Sequence, residues 1–342
     1  MRRSASLAAL VGLGFAVGSP FLLGGSELVA SLRAVTPRMI LIMAGLALVS
    51  GVAKAGKLQV LLASLGERPV FLRTLAISLA TDFAFLSSPA GAAGYVVNLL
   101  LLRSAGTSWI VATAAVSVEQ ALDLVFFAAA LPVAALAGFT LLAQVVPSIS
   151  RSAYAALLTF VAAASCGLWL SRHRLAAALR GIVGANQWFR VKREGYGQFL
   201  RELRTQLGAL LQGDVRRNLS LLLLTTLQWL ARYGALWAAL AEVDHRLPFA
   251  FILVLQAVVL HLAQWTGIPA GGGSADLALA AVLAPWVPGA IMATVLMLWR
   301  FATLYCPLIA GGLSLVALSG SGWLTDRRHR AVMLDLGGDR DR

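Results

Sequence analysis

Two short breaks, Ser88-Pro89-Ala90-Gly91-Ala92-Ala93-Gly94 and Ile268-Pro269-Ala270-Gly271-Gly272-Gly273-Ser274, interrupt otherwise apolar runs, and their prolines lie 180 residues apart. Proline brings no backbone N–H and glycine weakens a helix, so each break frees backbone polar groups. At bilayer depth such groups survive only where protein or a water-filled cavity satisfies them. Matching breaks in the two halves of a chain point to a duplicated architecture with a binding site where the halves meet.

That inference needs a membrane, and the composition supplies one. Of 342 residues, 59% are hydrophobic and only 13% charged, and the mean hydropathy is +0.81. This apolar share exceeds that of a soluble globular domain and reads as a polytopic membrane protein. The formal charge of +13 would suggest nucleic acid in a soluble chain, but here the basic residues sort by side of the membrane, and no nucleic-acid partner is expected. Cys166 and Cys306 both fall in apolar runs without metal-ligand neighbours, so they read as packing residues rather than a disulfide or zinc site. No Gly-x-x-x-x-Gly-Lys-Ser/Thr loop occurs, so no nucleotide, cofactor or metal is expected, and any work comes from an ion gradient, a partner or the lipid's own gradient.

Runs long enough to cross the bilayer as a helix, about 20 residues, are Ser6–Gly24, Met39–Ala55, Trp109–Ala137, Tyr154–Leu170, Leu219–Val243 and Ala290–Leu318. Phe71–Leu102 and Phe249–Trp286 are each broken near the middle and read as helical hairpins, either re-entrant or crossing twice. The expected fold is therefore all-α, with about six full crossings and two broken or re-entrant hairpins. Starting from Met1-Arg2-Arg3 as a cytoplasmic end, inside segments carry Arg2, Arg3, Lys54, Lys57, Arg68, Arg73 and Arg103, ten Lys/Arg between Ser171 and Arg217, and five after Asp326. Outside segments carry only Arg33, Arg38, Arg151 and Arg246. The bias places both termini in the cytoplasm. The two hairpins then open from opposite sides, an inverted-repeat arrangement suited to alternating access. Residues 1–320 read as one membrane domain, with a basic cytoplasmic loop at 171–218 and a charged cytoplasmic tail at 321–342.

Ionisable groups at bilayer depth are costly and are therefore paired or turned toward a cavity. Glu119 and Asp123 share a helix face at i and i+4, as do Gln228 and Arg232. Arg300 lies 31 residues after Pro269, and Gln120 lies 31 residues after Pro89, so the repeat extends into the following helices. Asp82 lies in the first hairpin's descending arm and Asp276 at the start of the second hairpin's returning arm. Helix N-termini after Gly91 and Gly273 suit an anionic group such as a lipid phosphate, and Arg232 and Arg300 add positive charge for it. Alternatively Glu119, Asp123 or Asp276 neutralise the two arginines and hold helices together. The candidate lipid-binding residues are Arg232, Arg300, Asp276, Glu119, Asp123, Asp82, Pro89, Gly91, Gly94, Pro269, Gly271 and Gly272. His261, with Gln264 and Trp265 on the arm entering the second break, reads as a hydrogen-bonded packing residue.

In their order and spacing, Pro89-Ala90-Gly91-x-x-Gly94 with Arg103, Glu119-Gln120-x-x-Asp123, Pro269-Ala270-Gly271-Gly272 with Asp276, and Arg300 followed by Pro307 and Gly311 resemble the membrane domain of the lysylphosphatidylglycerol synthetase/flippase family. The resemblance runs from about the first span to Leu318. It implies two re-entrant elements and a role in moving a lipid between leaflets. The chain departs from the family where an acid-arginine pair is replaced by Glu119-Gln120, a glutamate by Asp276, and an arginine-tryptophan pair by Lys57-Leu58. The soluble aminoacyl transferase domain fused to the best-known members is not expected in this polypeptide.

Within 171–218, Phe199, Leu200, Leu203, Leu207 and Leu210 recur at helical spacing, an amphipathic helix suited to the anionic inner leaflet. Gly25–Arg38 reads as an interfacial helix on the outer side. The function expected is a flippase or transporter of the bacterial inner membrane, its partners being membrane lipids whose headgroup enters a midplane cavity. A modified phospholipid, an undecaprenyl-linked sugar and a hopanoid-type lipid all fit, with a homodimer or a lipid-synthesis partner as further associations. The alternatives are an intramembrane lipid-modifying enzyme using Glu119 and Asp123, and a non-transporting partner of a lipid or glycolipid synthesis pathway.

Overall fold

A computed structural model of the chain describes residues 35–145, 205 and 214–320, whose regular structure is all helical, with no strand among them. The first span, most of Gly25–Arg38, Tyr154–Leu170, nearly all of 171–218 and the tail lie outside the described residues.

The described helices fall into two runs of the same order. The first holds α1 (Pro37–Ser64), α2 (Phe71–Ser87), a 3₁₀ turn (Pro89–Gly91), α3 (Ala92–Ser104) and α4 (Trp109–Ala137), followed by the short α5 (Phe139–Val145). The second holds α6 (Val215–Glu242), α7 (Phe249–Trp265), a 3₁₀ turn (Pro269–Gly271), α8 (Ser274–Leu283) and α9 (Gly289–Arg300), which continues through a π turn (Phe301–Tyr305) into α10 (Cys306–Gly320). Each element of the second run lies about 180 residues after its counterpart, as the two prolines do. Pro37–Ser64, Trp109–Ala137 and Ile291–Ser319 are long and apolar enough to cross a membrane. The hairpin arms, 17 and 13 residues in the first half and 17 and 10 in the second, are each shorter than the about 20 residues one crossing takes.

Local chemistry sets the ends. Thr36 caps α1, its Oγ1 accepting from Met39 N at 3.3 Å, and Pro37 follows at a position where its missing N–H costs nothing. Ser108 Oγ accepts from Val111 N at 3.2 Å to start α4. The π turn lies just before Pro307, whose ring and absent N–H disturb the preceding α-helical turn. The helix runs nine residues past the expected end at Ala55, so Lys57 lies inside α1 rather than in a loop, and Lys54 lies well short of the helix end.

The counterparts α1 and α6 lie along one another, and α10 lies along α2. Gly311 permits the second contact, since a Cβ there would stand 2.3 Å from Leu79 O. One core cluster joins Met39 and Met43 to Leu236, Leu240, Phe251, Leu296 and Trp299; another joins Leu58, Leu61 and Leu62 to Ile77, Leu102 and Leu318. Helix α1 thus belongs to both cores and ties the halves together. The two Pro-Ala-Gly turns touch each other, and each also touches the descending arm of the opposite hairpin. Outside and inside are reversed relative to a water-soluble protein: Leu48 is 65% exposed and Leu124 70%, while Lys57 and Asp276 are fully buried. Apolar surface of this extent fits a hydrocarbon surround.

Candidate functional site: two clasped breaks, a buried charge seam and a lateral cleft

The identical Pro-Ala-Gly turns are held by different chemistry. At the first, Gly91 has φ +72°, and a Cβ on Gly94 would fall 2.3 Å from the Phe85 ring, so that ring occupies the space beside the turn. Ala93 N donates to Ser88 Oγ at 3.1 Å. The Phe85 ring meets Tyr95 edge-on at 4.7 Å, and Tyr95 donates its hydroxyl proton to Gln120 Oε1 at 3.0 Å. At the second, Ala270 is held at φ +55°, which costs a non-glycine residue roughly 1–2 kcal/mol. Arg300 Nε donates to Asp276 Oδ1 at 2.7 Å and Nη2 to Oδ2 at 2.9 Å, while Nη1 donates to Ala270 O at 3.2 Å. Asp276 Oδ2 also accepts from Gly273 N at 3.2 Å. Gln120 and Arg300, 180 residues apart, therefore each reach back to the start of the returning arm behind their own turn.

At the helix N-termini expected to face a ligand, the N–H groups of Ala93 and Gly273 are used internally by Ser88 and Asp276. Arg300 is 2% exposed and neutralised by Asp276.

Asp82, Glu119 and Asp123 pair with neither arginine. They converge on the two lysines of α1: Lys54 binds Asp82, and Lys57 Nζ stands 2.7 Å from Asp123 Oδ1 and 3.8 Å from Glu119 Oε1. Trp229 Nε1 of α6 donates to the same Asp123 oxygen at 2.9 Å. Glu119 is 1% exposed, and neither of its oxygens accepts a hydrogen bond among the described residues. Buried carboxylates are otherwise expected to be hydrogen-bonded. His261, exposed on α7, donates from Nδ1 to Ala257 O at 2.6 Å and sets its ring against Phe127, an arrangement of packing.

Arg232 stands apart. It is half-buried, makes no hydrogen bond or ion pair to the described residues, and lines a cleft of about 190 Å³ between α1, α2, α6, the π turn and α10. Asp82, Ser50 and Thr303 supply further polar groups, with Leu75, Leu79, Ala235 and Cys306 among the walls; Leu48 and Val52, also at the wall, are exposed on the outer surface of the bundle. The cleft therefore opens sideways.

Sequence reasoning found Asp82, Glu119, Asp123, Asp276, Arg232 and Arg300 but treated Lys54 and Lys57 as loop charges. The apolar positions Leu58, Val60, Leu61 and Leu62 immediately beyond them carried the signal that the helix continues. Trp229 had no comparable mark.

No curated protein matches the chain. A family model does, over residues 9–311, taking in both breaks, both lysines and every carboxylate and arginine of the site, and the chain belongs to the family described as the lysylphosphatidylglycerol synthase TM region.

Proposed function

We propose that the protein moves a polar-headgroup lipid between the leaflets of the bacterial inner membrane. The carrying observation is Arg232: a guanidinium with no partner among the described residues, half-buried in the wall of an apolar cleft that opens sideways between helices. A membrane-depth arginine is normally paired or turned toward a cavity that its ligand shares, and its fork of donors suits a phosphate oxygen pair. A volume of about 190 Å³ is below the about 300–1,000 Å³ of pockets that enclose a whole ligand. Such a cleft suits a headgroup whose acyl chains stay among the exposed leucines outside. The repeated order of elements supports halves of inverted topology with re-entrant hairpins, which supply two near-equivalent packings. In this reading both termini are cytoplasmic, the basic segment 171–218 contacts anionic inner-leaflet lipid, and a second copy or a lipid-synthesis enzyme is the natural partner. A modified phospholipid, a polyprenyl-linked sugar and a hopanoid-type lipid each fit.

The test is leaflet exchange of labelled lipids in proteoliposomes containing the full chain, wild type against Arg232→Gln, with folding checked by monodispersity in detergent. Exchange of at least one lipid class that falls about tenfold or more in Arg232→Gln, the scale of one charge-assisted contact, is expected. Exchange that is undiminished in that variant, or undetectable for every class in the wild type, overturns the proposal.

A further inference from the structure

Glu119 is the buried group that the lipid reading leaves unused, and we propose that it is a proton-binding site, occupied or emptied according to which carboxylate holds the Lys57 ammonium. Two carboxylates, Glu119 and Asp123, face one cation, Lys57, which is fully buried. Asp123 holds the cation closely and has a second donor in Trp229. Glu119 has the ammonium only at 3.8 Å and no hydrogen bond on either oxygen among the described residues. A carboxylate in a dry surround without hydrogen bonds is costly, and a proton removes that cost.

The charge at Glu119 is set by groups on several surrounding helices. Helix α1 contributes Lys57 and Lys54, α2 contributes Asp82 behind Lys54, and α4 itself contributes Asp123; all four act electrostatically on Glu119. Tyr95 of α3 lies within electrostatic reach, whereas Arg103 of the same helix turns to Thr107 O. Arg232 of α6 acts on Lys54 but is not among the groups acting on Glu119. His261 of α7 is bonded to its own helix. Because Asp82 takes the charge of Lys54, Lys57 alone is left for two acids, and a proton on Glu119 completes a neutral set. When Lys57 moves to Glu119, Asp123 retains Trp229, and the proton leaves Glu119 to water. Within the lipid-transport reading this is where a proton gradient couples to the lipid's movement, but the site stands on its own geometry.

The readout needs no lipid substrate. Full-length protein in detergent is treated with dicyclohexylcarbodiimide, which modifies protonated carboxyl groups in apolar surroundings, from about pH 5 to about pH 9, a range spanning ordinary and burial-shifted carboxyls. Adducts are then mapped by mass spectrometry. The expected result is an adduct on Glu119 whose yield falls as pH rises, little on Asp276, and a Lys57→Met variant in which the Glu119 adduct persists to higher pH by about one unit or more. An infrared carboxyl band lost on raising the pH of wild type, and missing from Glu119→Gln, is the second expected result. No Glu119 adduct at any pH, or the same pH profile with and without Lys57, overturns the proposal even if lipid exchange is observed. Conversely, pH-dependent labelling in a protein that moves no lipid overturns only the transport reading.

Discussion

Replacing Arg300 with methionine removes the cation of the Asp276 pair while keeping most of the side-chain bulk. The wild-type guanidinium makes two short bonds to a fully buried carboxylate and one to the carbonyl of Ala270, a residue in the left-handed region. Removing one partner of a buried pair leaves the other charge uncompensated and costs about 3–5 kcal/mol. The Ala270 carbonyl also loses its donor, so the upper end of that range applies. In a plain buried pair, the double replacement Arg300→Met with Asp276→Leu would restore nearly all the loss. Here Ala270 O and Gly273 N both lose their side-chain partners, each costing about 1–3 kcal/mol, so the double variant recovers only part. Unfolding in mixed micelles, followed by tryptophan fluorescence, measures the three variants. Arg38→Gln is the control: Arg38 pairs with Glu242 at 3.3 Å but is 78% exposed, and its loss stays within about 1 kcal/mol. A loss in Arg300→Met no larger than that control refutes the claim that Arg300 clasps the break. A double variant as stable as wild type refutes the part assigned to the backbone.

Gly311→Ala would set a Cβ 2.3 Å from Leu79 O and 2.7 Å from Phe83 Cβ, forcing α10 off α2 at about 1–3 kcal/mol; Gly45→Ala, with nothing within 4 Å, gains up to about 1 kcal/mol of helix propensity. The two midpoints in the same micellar unfolding assay should therefore move in opposite directions, and a shared direction contradicts the packing. In a Cys166→Ser background, a membrane-permeant maleimide on Cys306 fills the cleft that Arg232 lines and should reduce lipid exchange. The same label on Ile309→Cys with Cys306 also replaced by Ser, at a position 64% exposed outside the cleft, should not; equal inhibition by both labels places the lipid path elsewhere.

The features legible in the sequence are those set by one residue or its near neighbours. Pro89 and Pro269 are each followed by glycine two residues on and end a helix, where the lone Pro132 inside α4 does not, so both breaks were readable. Trp109–Ala137 was readable to the residue because Ser108 caps it and Gly138 follows it. The end of α1 was not, because Lys54 and Lys57 look like the edge of a span. They are accommodated inside it by acids 28 and 66 residues away, and no local pattern marks such partners. Equally hidden was the choice among acids for the two arginines. Only folding brings Asp276 rather than Glu119 to Arg300 and leaves Arg232 at a cleft. The helices match the expected all-α class, while their number of crossings and their relative inversion belong to the proposal above.

The two halves share a turn sequence but not a clasp, and the difference has an energetic consequence. Tyr95 and Gln120 make one neutral bond on a partly exposed surface, a contact contributing about 0.5–1.5 kcal/mol. Asp276 and Arg300 make a buried, forked, charge-assisted set that also fastens backbone, and losing one member costs several times more. The free energy of local opening follows the contacts that opening breaks. Since the two turns touch, displacement at one is felt at the other, and the weaker clasp yields first. The first break lies on the side of the molecule that carries Lys54, Asp82 and, through them, the wall of the cleft, because Lys54 also stands 5.5 Å over the ring of Phe85. A change at the cleft that moves Lys54 therefore reaches the softer of the two breaks directly, through one side chain, while the charged clasp holds the other half in place.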